Sequence, residues 1–380
     1  MPEPASPSRR SDFPDWVLLD TVASVGHRRC KNATTARAVT SAGHPIEVSF
    51  EVVDPPSLSR CVVYCPDLTT PSDTDTPCVV TGADGAFLLI RVCFPGRRKP
   101  TDVFLYKAGP GAPSLYLLPR PYPVDLHFNY VGVLSCRGRG GVFSNDDHYC
   151  LVVIPERRFE AGGRMSYDLR IFSTETESWS SKVAGWLLTC AGTTYGGLAR
   201  LEPTKVLNVG GGSLAWVDLR HGILLCNVLD DRPEMNLIRL PALMPANEEF
   251  FGDCSDGCEQ PMRPIRDVTC TNGSIKSIKA TLYRWTATMF KTTISSGGDW
   301  EWCCTIDSSD LLPANSRVPD LIPEIWDDEE KRLTLDRVIS ESPILNMYRD
   351  HVVYRLHDIQ VGQLGPIDTR NNELERAVPF

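Results

Sequence analysis

Residues 266–306, RDVTCTNGSIKSIKATLYRWTATMFKTTISSGGDWEWCCTI, carry the reading on which the fold rests. Four runs rich in Val, Ile, Thr and aromatic residues, at 266–270, 275–281, 285–293 and 300–306, follow one another with polar breaks between them. Such runs suit a pleated, half-buried surface better than a helix, whose apolar positions recur every three to four residues. Asn272 with Gly273, and Gly297 with Gly298, stand at two of the breaks. Both pairs accept positive φ, the geometry of a tight turn between antiparallel strands. The stretch therefore predicts a meander of hairpins, not βαβ units.

The same pattern extends outward in both directions, at 46–53, 61–64, 87–94, 103–106, 149–154, 167–172, 205–209, 214–219, 223–229 and 351–356, with further hairpin signals at Asp84 with Gly85 and His221 with Gly222. Helical periodicity is almost absent; 327–337 (DDEEKRLTLDR) reads equally well as a short helix or as a charged turn running into a strand. Similar strand-turn-strand units recur at roughly 45 to 70 residues, and a four-stranded unit buries both its faces only when stacked against others. The expected fold is all-β, a single propeller-like domain of antiparallel hairpins with about six blades, and a β-sandwich or a pair of them is the competing architecture. It is expected to span residues 15–360, between a disordered tail at 1–14 and a C-terminal tail at 361–380. An unpaired strand edge invites aggregation, so the apolar segment at 16–20 is expected to join the sheet of 351–356 and close the ring.

Composition narrows the function classes. The chain has 380 residues and a formal net charge of −9, and its 30 prolines favour turns over long helices. The basic groups Arg28, Arg29 and Lys31, and Arg97, Arg98 and Lys99, lack interleaved aromatics and read as solvated loops, so nucleic acid is not an expected partner. The apolar run at 87–94 is only strand length and contains Arg91, so no membrane span is expected. Arg9 and Arg10 precede no apolar signal core, which points to the cytoplasm or nucleus and to cysteines held as thiols.

Searches for chemistry return little. Asn208 to Ser213 (NVGGGS) lacks both the Gly-x-Ser-x-Gly of a nucleophile elbow and the Gly-Lys-Ser/Thr of a phosphate loop, while 137–141 (RGRGG) lacks the third glycine of a dinucleotide fingerprint. Both are expected to be blade-connecting turns. Cys61 with Cys65, and Cys254 with Cys258, have spacing permitted to zinc knuckles, but Cys61 lies in a strand and the pairs are far apart, so no metal or cofactor is expected. Asp218, Arg220 and His221 bring carboxylate, guanidinium and imidazole into one turn; the structural reading is that Asp218 caps it and Gly222 supplies positive φ. Trp300 and Trp302 are expected to share a core-facing side of their strand.

Several fragments occur in a consistent order: LAWVDLRHGILLCNVLD at 214–230, Leu240 with Pro241, Arg266-Asp267-Val268, Gly273-Ser274-Ile275-Lys276 and Trp285-Thr286-Ala287-Thr288, flanked by WVLLD at 16–20 and by Leu345-Asn346-Met347 and Val352-Val353-Tyr354. In these the chain resembles the plant, grass-expanded "domain of unknown function sixteen-eighteen" family, with a motif block at 214–302. Arg220 departs from the pattern, which often has an aromatic residue there. The resemblance implies a layout similar to kelch-like, F-box-associated domains, and no catalytic residue to carry over.

The remaining outlier is the segment 245–264 (PANEEFFGDCSDGCEQPMRP), net charge −4, with Phe250 and Phe251 at its centre. These phenylalanines are either a staple that tucks the loop down or exposed anchors for a partner. The expected function is a non-catalytic protein-interaction module with an unidentified protein partner, Phe250 and Phe251 being the candidate partner-binding residues; the alternative is a hydrolase or lyase with its site in the central channel.

Overall fold

The computed structural model describes residues 16–29, 31–55, 57–66, 68, 78–94, 101–109, 112–120, 131–138, 148–159, 165–186, 201–252, 260–281, 286–294, 298–313, 326–327, 329, 332–333, 340–346, 351–357, 363–374 and 377–378. The tail expected at 1–14 lies outside them. Where the sequence reads as one domain, the chain divides into two compact units, one of Met1–Val80 and Leu89–Val124, the other of Thr81–Leu88 and Asp125–Phe380. The division cuts through a hairpin, whose tip belongs with the second unit because its Asp84 is bonded there.

In the first unit, β1 (Leu18–Leu19), β2 (Ser24–Val25), β3 (Ala36–Val39), β4 (Pro45–Glu51) and β5 (Leu58–Tyr64) make one sheet. A second sheet runs β6 (Cys78–Asp84), β7 (Phe87–Cys93), β8 (Thr101–Lys107) and β9 (Ser114–Leu117) in chain order, with Thr81–Leu88 of it belonging to the other unit. Here an expectation fails. Residues 16–20 do not join the sheet of 351–356; Leu18 and Leu19 pair in parallel with Leu58 and Ser59. The margin of β5 lies near in sequence and offers backbone acceptors, as in the 2.9 Å bond from the Asp20 N–H to the Ser59 carbonyl.

The second unit is a succession of meanders. β10 (Gly132–Arg137), β11 (His148–Phe159), β12 (Met165–Ser173) and β13 (Ser178–Trp186) form the first, and β14 (Lys205–Gly210), β15 (Ser213–Asp218), β16 (Gly222–Asn227) and β17 (Glu234–Ile238) the next. A short parallel pairing, Gly185 with Glu234 and Trp186 with Met235, joins their outer strands into one eight-stranded sheet. Then come β18 (Arg266–Thr271), β19 (Ser274–Ala280), β20 (Thr286–Thr293) and β21 (Glu301–Asp307). After three two-residue strands, β22 (Leu312–Pro313), β23 (Trp326–Asp327) and β24 (Arg332–Leu333), the last meander holds β25 (Ser340–Leu345), β26 (Val352–His357), β27 (Gln363–Asp368), β28 (Glu373–Leu374) and β29 (Ala377–Val378). β23 and β24 pair antiparallel, so of 327–337 the described Asp327, Arg332 and Leu333 are strand, and the rest apart from Glu329 lies outside the described residues.

The leading strands β10, β14, β18 and β25 neighbour one another in turn. The sheets therefore stack face to face, and each interface is a core. Leu134, Leu151, Val153, Tyr167 and Leu169 pack with Leu214, Trp216, Leu224 and Met235. The opposite face of that second meander, through Ala215, Val217, Ile223 and Leu225, packs with Val268, Cys270 and Ile275. Ile278, Ala287, Met289 and Ile306 pack in turn with Leu345, Val353, Ile367 and Leu374. This burial of both faces of the β14–β17 and β18–β21 meanders between their neighbours is the propeller-like, all-β arrangement the sequence predicts.

Turn chemistry explains the local order. Asn272 and Gly273 have φ of 50° and 75°, the paired positive values of a tight hairpin between β18 and β19. Two readings change. Asn208 to Ser213 is not a connection between blades but the β14–β15 hairpin inside one, with Gly210, Gly211 and Gly212 all at positive φ. The expected C-terminal tail contributes β27 to β29, because Ile367 and Leu374 are fully buried against Ile278, Ala287, Met289 and Ile306 of the preceding sheet.

Candidate functional site

The two phenylalanines expected to bind a partner have opposite fates. They end a one-turn helix, Glu248–Phe251, on which neighbouring side chains diverge by about 100°. Phe251 is 6% exposed and packs with Leu219, Met262 and Ile265; Phe250 is 52% exposed. The buried and the exposed phenylalanine are thus adjacent residues.

The segment is held by Arg220, the residue at which the chain departs from the family pattern it resembles. One guanidinium nitrogen donates to the Phe251 carbonyl at 2.7 Å and another to the Gln260 carbonyl at 2.8 Å, gripping both ends of the stretch whose middle, with Cys254 and Cys258, lies outside the described residues. Beneath it, Arg266 donates to the carbonyls of Leu219 at 3.0 Å and Pro241 at 2.5 Å, and burial, then the neighbouring Arg220, pull its pKa down to about 10.

Asp218 organises the turn that carries Arg220. Its carboxylate accepts the backbone N–H of Glu202 at 2.8 Å, of Arg220 at 2.8 Å and of His221 at 3.0 Å, and its Oδ2 lies 2.9 Å from His221 Nδ1. Burial alone would raise its pKa, but the bonds from His221 and Glu202 outweigh it and hold the carboxyl below its ordinary value. This is the capping role read from the sequence, with lone pairs consumed by backbone.

Two more carboxylates, the half-buried Asp84 and the buried Asp267, tie leading strands together. Asp84, at the end of β6, accepts the Ser135 N–H of β10 at 2.6 Å and the Asn208 side-chain amide of β14 at 2.8 Å. Burial raises its pKa, with those two bonds pulling the other way. Asp267 on β18 is paired with Lys205 of β14 and accepts the Leu345 N–H of β25 at 3.0 Å. Sequence reasoning missed both clips, because each partner lies 51 to 124 residues away.

Cys61, Cys65, Cys78, Cys150, Cys226 and Cys270 are buried and outside any disulfide. Burial pushes Cys61 up to about 12, far from the thiolate needed for nucleophilic or metal chemistry. Among the described residues no group of three His, Cys, Asp or Glu is placed to hold a metal ion.

The tryptophan expectation needs correction. Trp300 precedes β21, is half-buried and donates its indole N–H to the Arg239 carbonyl at 2.7 Å, whereas Trp302 stands 64% exposed. The alternation rule does not relate them, because only Trp302 belongs to the strand. A signal for its exposure existed in the acids Asp299, Glu301, Asp307 and Asp310 around it, which mark a strand at the solvent margin.

This architecture defines a protein of the all-β, propeller-like class with its polar interior given over to holding strands. Residues 216–354 match the family model described as "Protein of unknown function (DUF1618)", which bears out the family resemblance of the sequence. No curated protein sequence matches significantly. Among solved structures, the chain is similar to MPT-1, a GDP-Man-dependent mannosyltransferase from Leishmania mexicana, at 12% identity and a TM-score of 0.27, over 80% of this chain and 89% of that one. It is also similar to a mutant of Trypanosoma rangeli sialidase displaying trans-sialidase activity, at 12% identity and a TM-score of 0.31, over 85% of this chain and 51% of the sialidase. Likenesses this distant transfer no chemistry. No helix among the described residues is long and apolar enough to cross a membrane.

Proposed function

We propose that the protein is a non-catalytic interaction module that binds another protein in the cytoplasm or nucleus, with Phe250 as part of the contact surface. The observation that carries this reading is the division of labour among side chains. Asp84, Asp218 and Asp267 are all engaged with backbone N–H groups, while Phe250 and Trp302 project 52% and 64% of their surface into solvent. Exposed aromatics on a rigid scaffold are the usual anchors of protein interfaces. The net charge of −9 disfavours nucleic acid as the partner. A hydrolase or lyase would need an acid–base pair open to substrate, and the Asp218 of the His221–Asp218 pair has its oxygens committed to the turn.

Affinity purification from native tissue with mass spectrometry, alongside a broad hydrolase and lyase substrate screen, tests the reading. A stoichiometric protein partner that Phe250→Ser releases without lowering Tm is the expected result. Turnover in the screen with no stoichiometric partner would overturn it.

A further inference from the structure

β21 ends its sheet: one side is paired with β20, and the other pairs with no strand among the described residues. A margin of this kind presents unpaired N–H and C=O groups in the spacing an added strand requires. Two independent features distinguish this one. The first is Trp302, whose indole N–H donates to Thr305 Oγ1 at 3.2 Å, so the exposed ring is tethered to a strand rather than carried on a loop. The second is charge. Asp299, Glu301, Asp307 and Asp310 lie within twelve residues that contain no Lys or Arg. Lys291 of β20 approaches Glu301 at 3.3 Å and leaves the stretch net negative.

The register assigns these groups to faces. Trp302, Thr305 and Asp307 lie opposite Phe290, Thr288 and Thr286 and so share one face, whereas Glu301, opposite Lys291, lies on the other. Asp307 accepts from Thr286 Oγ1 at 2.8 Å and from the Ser309 N–H at 2.9 Å. Two copies of β21 pairing edge to edge would bring eight acids together, which disfavours self-association. A basic strand removes that conflict.

We propose that the free margin of β21 docks an extended, Arg- or Lys-rich segment of a partner protein as an added strand, with one cation over Trp302 and others facing Asp307 and Glu301. The proposal rests on the interaction-module reading and names the chemistry of the partner. Backbone pairing supplies the register, and the exposed Trp face with its acidic surround selects a cation.

The test uses the full chain and fluorescein-labelled ten-residue peptides of Arg and Val with Arg at both odd and even positions, so that both faces of the added strand carry cations, read by fluorescence anisotropy. Companion peptides carry N-methyl groups on alternate amides, or Glu in place of Arg. Salt-sensitive binding of the first peptide alone is expected. Trp302→Ala should weaken it about 5- to 30-fold, as loss of a cation–π contact does, and Glu301→Lys should weaken it too, with unchanged melting curves. Equal binding of the N-methylated peptide, or unchanged affinity of the Trp302→Ala protein, would overturn the proposal. So would a chain dimer that Trp302→Ala dissolves. Absent peptide binding while the wild-type chain still captures its native partner overturns the added strand alone; absence of both overturns it together with the interaction reading.

Discussion

The sheet from β18 to β21 treats its two margins in opposite ways. On the leading strand β18, Asp267 is buried and divided between Lys205 and the Leu345 N–H, so one side chain serves three successive meanders. On the outer strand β21, Glu301 and Trp302 face water, and the Trp302 indole donates to Thr305 of its own strand. Polarity is therefore no guide to position in this molecule, since carboxylates lie inside and an indole lies outside. What decides is the number of neighbours each margin has: a leading strand meets two other sheets and must satisfy every donor it encounters, while the outer strand meets solvent.

Substitutions can break that contrast. Its sharpest form is the adjacent pair Phe251 and Phe250, and the largest effect is expected from Phe251→Ser, which empties a core position; urea denaturation should show a loss of about 3–5 kcal/mol. Asp267→Ala leaves the Leu345 N–H without its acceptor and Lys205 without its counter-ion, and the same measurement should give about 2–3 kcal/mol. If either loss fell below about 0.5 kcal/mol, the corresponding contact would not be part of the folding energy.

A carboxylate at the end of the last meander sharpens the contrast through pH. Arg370 bonds Asp368 through its Nε at 3.0 Å and its Nη2 at 2.5 Å and, against the opposing effect of burial, holds the carboxyl at about 2 instead of 3.8. A lowered folded-state pKa means that the stabilisation is complete above the ordinary value and is lost as pH falls towards 2. Arg370→Ala should therefore cost about 1 kcal/mol at neutral pH, a figure discounted for the solvent around the guanidinium. The gap between variant and wild type should close as pH falls from about 4 to about 2, and a gap independent of pH would mean that Arg370 acts through packing. The smallest effect is expected at the outer surface, where Phe250→Ser should change stability by less than about 0.5 kcal/mol. A larger loss in its melting curve would place Phe250 in the fold.

The strands were legible where local rules suffice. The runs at 266–270 and 275–281 with Asn272 and Gly273 between them appear as β18, its hairpin and β19, displaced by a single residue at most ends. β13 escaped because SWSSKVAGW is largely polar and exposed, and it is held in place by pairing with β12 and β17 rather than by an apolar face of its own. β1 was placed in the wrong sheet because a two-residue apolar segment carries no information about which of many margins it will meet. Of the candidate site, the phenylalanine pair was visible but its division was not, since only a helical turn separates two adjacent side chains. The carboxylate clips were invisible for a different reason: a lone Asp beside Gly85 reads as turn chemistry, and its real partners are fixed only by the stacking of the meanders.

The reach of Asp84 also has a consequence in time. Its amide donor on Asn208 follows it by 124 residues. At a synthesis rate of about 5–20 residues per second, the carboxylate waits about 6–25 s on the ribosome before that donor has been made. Through that interval the β6–β7 hairpin carries a hydrated negative charge at its tip. The group that later locks three strands together thus first helps to keep the growing chain in solution.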